Sequence, residues 1–154
     1  MTVWIAALCT LGLIVATSLL TYEILRVAWF FMSRSRHGRS RVLYALAAAF
    51  IAHIICISLY GFMYFVLATY TPLGTLRDAT PDSSEPFTFI LTIYFSAATY
   101  SSLGFGDIVP TGDLRLIAVI EGLNGLLLIG WSVAHSFLAM EEFWEKPLPP
   151  ERRK

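Results

Sequence analysis

At 154 residues, with 56% hydrophobic side chains and only 14% charged ones, the chain is too apolar for an ordinary soluble domain. Eleven basic residues balance eleven acidic ones, so the net charge is zero, and no nucleic-acid partner is expected. The charges sit between long apolar runs, as segments that cross a bilayer require.

The first run extends from about Val3 to Phe31, and its far part brings in Tyr22, Glu23 and Arg26. No basic segment precedes it and no small-x-small cleavage site closes it, so a retained membrane helix over residues 1–32 is expected rather than a leader. Next come Arg34, Arg36, Arg39 and Arg41 in a short polar stretch, residues 33–41. Four arginines between two apolar runs predict a cytoplasmic loop, which also offers a contact for anionic lipid headgroups. A second span is expected from about Val42 to Tyr70. With the basic tail, residues 145–154, on the cytoplasmic side, the N-terminus and the connection after Thr71 face outward.

The outer connection reads in two parts. Thr71 to Glu85 carries Pro72, Gly74, Asp78, Pro81 and Asp82 and predicts an exposed loop. Ser83-Ser84-Glu85-Pro86 then reads as a helix start, followed by an apolar helix from Phe87 to about Tyr100. That length suits a re-entrant helix better than a spanning one. A third span begins near Leu114 and runs to about Phe137. Cys9 and Cys56 lie inside apolar runs and read as small packing residues.

Between the short helix and the third span stands Ser102-Leu103-Gly104-Phe105-Gly106-Asp107. Irregular backbone at membrane depth is tolerated only if it is buried in protein or lines a water-filled path. The two glycines accept positive φ at little cost, and alternation of hand would aim successive carbonyls at one axis. Such carbonyls can replace the hydration shell of a cation, with the Ser102 hydroxyl as the innermost ligand. One chain supplies one wall, so several copies must surround the path. Asp107 places an acid at the outer mouth, and Asp78, Asp82 and Glu85 share its side.

Thr99-Tyr100-Ser101-Ser102-Leu103-Gly104-Phe105-Gly106-Asp107 resembles the signature of potassium-channel pore domains. The resemblance covers roughly Val42 to Phe143 and makes residues 42–144 a pore domain. It implies an all-α membrane protein that assembles as a homotetramer in the plasma or inner membrane. Potassium would be held at Ser102, Leu103, Gly104 and Phe105, with Gly106 completing the filter, and no other cofactor is expected. It places Gly125 at a gating hinge, Gly130 at a second recurrent glycine, and Tyr94 and Phe95 in the aromatic support behind the filter. Ser101 and Ser102 replace the commoner threonines, Phe105 replaces tyrosine, and Ala98 stands where some members carry a buried glutamate.

Glu121 lies within the third span, where a charged group is costly unless paired or wet. It reads as a support behind the filter or as an inter-helix hydrogen bond with no control over flow. If Gly125 is the hinge, Leu126, Ile129, Val133, Phe137 and Glu141 share a helical face after it, and Phe137 becomes a candidate apolar gate. The rival functions are a cation pore that does not select potassium, a non-conducting accessory subunit, and a haem-binding electron carrier using His53 and His135. The last leaves the glycine filter unexplained. Enzymatic chemistry has no support: no serine elbow or His/Asp arrangement appears.

Overall fold

A computed structural model describes residues 2–34, 38–79 and 87–144. Four helices carry the fold: α1 (Thr2–Arg34), α2 (Gly38–Tyr70), α3 (Phe89–Tyr100) and α4 (Leu114–Trp144). Three of them contain apolar segments long enough to cross a membrane: Ala6–Arg34, Ser40–Tyr70 and Leu114–Glu141. Each exceeds the ~20 residues that about 30 Å of hydrocarbon demands. They are apolar on every face, as lipid-contacting helices are. α3 is also apolar but has only 12 residues.

The core forms where α2, α3 and α4 meet. Tyr60, Tyr64, Phe95, Tyr100, Leu114, Ile117 and Leu128 belong to one buried cluster. Tyr64 and Phe95 pack edge to face, with ring centroids 5.1 Å apart. α1 lies against both α2 and α4. Its buried face carries Ala6, Thr10, Thr17, Thr21, Leu25, Ala28 and Met32, a spacing of three, four or seven residues that keeps one stripe inward.

The basic stretch is shorter as a loop than its composition suggests. Ser33 and Arg34 complete α1, and Gly38 to Arg41 open α2. The Arg34 guanidinium lies 4.3 Å from the Phe30 ring centroid, and Arg36 lies outside the described residues.

The outer connection departs from expectation twice. It is not wholly an exposed loop: β1 (Leu76–Asp78) pairs antiparallel with β2 (Ile108–Pro110), in the register Leu76 to Pro110, Arg77 to Val109 and Asp78 to Ile108. Leu73 and Leu76 are buried. The purely helical class therefore acquires one small two-stranded sheet. The short helix also begins later than expected. Thr88 is its N-cap, in extended conformation, and its hydroxyl accepts from the Leu91 amide at 3.2 Å. A threonine oxygen satisfying an otherwise unpaired first-turn amide is sufficient to set that start. The Ser83–Pro86 signal lies outside the described residues, with Asp82 and Glu85.

Candidate functional site

The segment after α3 is built from the end of that helix. Ser101 closes it at φ −80° and ψ −2°, and the Ala98 carbonyl then accepts two amides, from Leu103 at 2.9 Å and from Gly104 at 3.2 Å. These bonds turn the amides of the next residues back toward α3. Positive φ follows at every second residue: Ser102 at 57°, Gly104 at 52° and Gly106 at 79°, but not at Leu103 or Phe105. For Ser102 that conformation costs about 1 kcal/mol or more. No backbone amide among the described residues donates to the carbonyls of Ser102, Leu103, Gly104 or Phe105. Leu103 and Phe105 are 64% and 65% exposed in the single chain.

Asp107 ends the segment and is held on three sides. Its Oδ2 accepts from the Tyr94 hydroxyl at 2.6 Å, its Oδ1 accepts from the Ile108 amide at 2.9 Å, and its carbonyl accepts from the Ala79 amide at 2.7 Å. The Tyr94 hydroxyl, first among these, holds the Asp107 carboxyl below its ordinary range. The Tyr94 ring lies nearly parallel to Phe105, 6° between planes and 6.3 Å between centroids. One side chain of α3 thus touches both Phe105 and Asp107. The β1–β2 pairing straps the stretch after Asp107 to the outer connection, reinforced by Thr75 and Thr111.

Glu121 sits fully buried where α2, α3 and α4 converge. Its Oε2 accepts from the Tyr64 hydroxyl and its Oε1 lies against the Ser96 hydroxyl, each at 2.6 Å. Ser96 also reaches the Ile57 carbonyl at 2.9 Å. Phe95, expected with Tyr94 in the aromatic support, packs edge to face on Tyr64. Tyr94 and Phe95 therefore brace different neighbours: one Phe105 and Asp107, the other α2.

On α4, Gly125 lies where a side chain would collide with the carbonyl of Tyr100, the last residue of α3, and Gly122 lies where a Cβ would stand 3.4 Å from the Thr99 carbonyl. These glycines permit close approach of two backbones. A Cβ on Gly130 would meet nothing within 4 Å. Ile129, Val133 and Phe137 line one groove between α2 and α4, together with Phe50, His53 and Met140. Phe137 is 58% exposed in the single chain.

Tyr64, Ser96, Tyr60 and Thr17 escaped the sequence reading. Tyr60 and Tyr64 do stand one helical turn apart inside an apolar span, a pattern that flags one buried polar face. His53 Nδ1 pairs with the Tyr100 hydroxyl at 2.9 Å, while His135 packs edge-on to Trp29 and lines a groove between α1 and α4. The two histidines thus line different grooves of the single chain.

Residues 75–142 match a family model described as ion channel. That stretch holds β1, α3, the glycine-alternating segment, β2 and most of α4, and it leaves α1 and α2 outside. An uncharacterized membrane protein, YdjJ of Bacillus subtilis (strain 168), is 34% identical over 83 residues, covering 53% of this chain and 24% of YdjJ. The chain spans about a quarter of that relative's length. No solved structure matches it.

Proposed function

We propose, on the premise that residues 75–142 belong to the ion-channel family, that the chain is one subunit of a tetrameric pore selective for potassium. The observation that carries this reading is the alternation of positive φ at Ser102, Gly104 and Gly106, with four intervening carbonyls that no described backbone amide takes up. In this reading α3 re-enters the membrane, and Ser102 to Asp107 is the filter. Four copies bring the carbonyls of Ser102, Leu103, Gly104 and Phe105 around one axis, and the Ser102 hydroxyl adds the innermost oxygen. A dehydrated potassium ion exchanges its water oxygens for these carbonyls at each layer. The negative end of the α3 dipole faces the ion from below, and Asp107 raises cation concentration at the outer mouth.

The same reading sets the chain in the plasma or inner membrane, with its N-terminus outside and its arginines facing the cytoplasm. There Arg34, Arg36, Arg39 and Arg41 meet anionic headgroups. Reconstitution in liposomes, with potassium and sodium flux measured separately, tests the function. Potassium flux well above sodium flux is the expected result. Equal fluxes would make it a non-selective cation pore, and the absence of both would end the channel reading.

A further inference from the structure

We propose that α1 is a working part of the pore unit, because Thr17 and Asn124 form a hydrogen-bonded clamp that positions α4 beneath the filter. The inference rests on the potassium-pore reading above and extends it to a helix outside the segment that matches the ion-channel family.

The Thr17 hydroxyl donates to the Leu13 carbonyl of its own helix at 2.7 Å. Its proton is thereby committed, and its lone pairs face outward as acceptors. Asn124 of α4 fills that vacancy: its Nδ2 donates to Thr17 Oγ1 at 2.9 Å and to the Tyr60 hydroxyl of α2 at 3.1 Å. Thr17, Tyr60 and Asn124 are all buried. Three helices are therefore tied at one amide group. Thr21 adds a weaker contact to Cys56 Sγ at 3.6 Å.

The position of this knot gives it consequence. Asn124 immediately precedes Gly125, whose backbone abuts the Tyr100 carbonyl, and Gly122 stands just above, against Thr99. Ser102 follows two residues after Tyr100. The clamp and the close approach thus lie on consecutive residues of one helix, beside the end of α3 from which the proposed filter begins. The opposite face of α1, with Trp4, Leu8, Leu11, Val15 and Leu19, is at least half exposed, so the helix has one face toward lipid and the other on the inner helix. Water cannot replace a hydrogen bond lost at this depth. A displacement of α1 is therefore transmitted to α4 rather than absorbed by solvent. Thr17 and Asn124 are positioning residues, since neither touches the ion path.

The test uses the full chain in liposomes and measures potassium flux per assembled channel, so that a loss of assembly does not count as a loss of flux. Thr17→Val keeps the side chain's shape and removes its acceptor. Asn124→Leu removes the donor. Thr17→Val removes one hydrogen bond and is expected to lower flux by about 3- to 10-fold; Asn124→Leu removes that bond and the one to Tyr60 and should lower flux at least as far. The double variant should fall no further than Asn124→Leu alone, because that variant has already lost the bond to Thr17. Thr17→Ser should restore flux to within about twofold, since the hydroxyl acceptor is kept. Thr10→Val should leave flux unchanged, because the Thr10 hydroxyl bonds the Ala6 carbonyl of its own helix. Should Thr17→Val fail to assemble, Tyr60→Phe removes one acceptor with little change of packing and should lower flux in the same direction. Normal flux in assembled Thr17→Val and Asn124→Leu, or additive losses in the double variant, would overturn the clamp. A wild-type chain that carries no potassium would overturn the pore reading instead.

Discussion

Ser102, Gly104 and Gly106 share one backbone conformation, yet only two of them pay nothing sterically for it. Ser102, at φ 57°, donates its backbone N–H to the Thr99 carbonyl at 3.0 Å, and strain of this kind persists only where the surroundings over-determine it. A Cβ on Gly104 or Gly106 would meet no atom of its own chain within 4 Å. The cost of alanine there comes from positive φ alone, about 1–2 kcal/mol per residue. Four copies around one axis multiply that cost. Gly104→Ala and Gly106→Ala should each abolish selective potassium flux in liposomes; normal flux and selectivity in both would place the filter elsewhere. Asp107 supplies a pH prediction. Its folded pKa is lowered by the Tyr94 hydroxyl, so this bond contributes stability above the unfolded carboxylate value of ~3.9 and loses it as pH falls further. Thermal melting of the detergent-solubilised protein should show no step from this group between pH 7 and 5 and a decline below about pH 4. Tyr94→Phe should flatten that decline. The glycine alternation was legible from the residues, but the Tyr94–Asp107 bond spans thirteen positions across an irregular segment, and no periodicity announces it.

The elements divide according to how local their signals are. The three long helices follow from unbroken apolar runs, and α3 follows from its length. The start of α3 was misplaced because Ser83 and Thr88 both offer a capping oxygen, and composition does not choose between them. The β1–β2 pair has three-residue strands, too short to show alternation. Glu121 was visible as a misfit in an apolar span, but its partners Tyr64 and Ser96 lie 57 and 25 residues away. That knot joins three helices, so its loss should cost more than one bond. Glu121→Leu strands the buried Tyr64 hydroxyl at about 1–3 kcal/mol, leaves Ser96 with the Ile57 carbonyl alone, and should cut the yield of assembled protein sharply. Glu121→Gln retains the acceptor oxygen and should keep more of it, as read by size-exclusion chromatography. Equal yields would reduce Glu121 to a spectator. On α4, Phe137 lies with Ile129 and Val133 on the groove toward α2. If four copies of Phe137 close an apolar ring, Phe137→Ala and Phe137→Asn should raise basal potassium flux and leave the preference over sodium intact. Unchanged flux in both would move the gate to the filter.

At the scale of the molecule, the single chain leaves its central feature incomplete. Leu103 and Phe105 stand more than half exposed beside carbonyls that no described amide takes up. Along α4, Val119, Leu123, Leu126, Leu127 and Val133 are each more than half exposed. Lipid can cover the apolar helix faces, but it cannot satisfy free carbonyls at membrane depth. Ions and water can, provided that a wall of protein separates them from hydrocarbon on every side. In the proposed pore one chain contributes one filter segment, so that wall comes from further copies, and a closed ring of identical subunits repeats one interface about the conduction axis. Four filter strands make the ring for which carbonyl coordination of potassium is known to suffice. Mass measurement of the intact complex in detergent should therefore give four chains, and Gly104→Ala should leave that number unchanged, because the strain it adds lies at the filter and not between long helices. A monomer or dimer that still carries a selective potassium flux would defeat the tetrameric pore. The same potassium should stabilise the assembly, since an ion bound only by the closed ring shifts the equilibrium toward it by mass action. Dissociation on heating should then occur at lower temperature when potassium is replaced by sodium, and equal temperatures in the two salts would show that the ring does not bind potassium in preference.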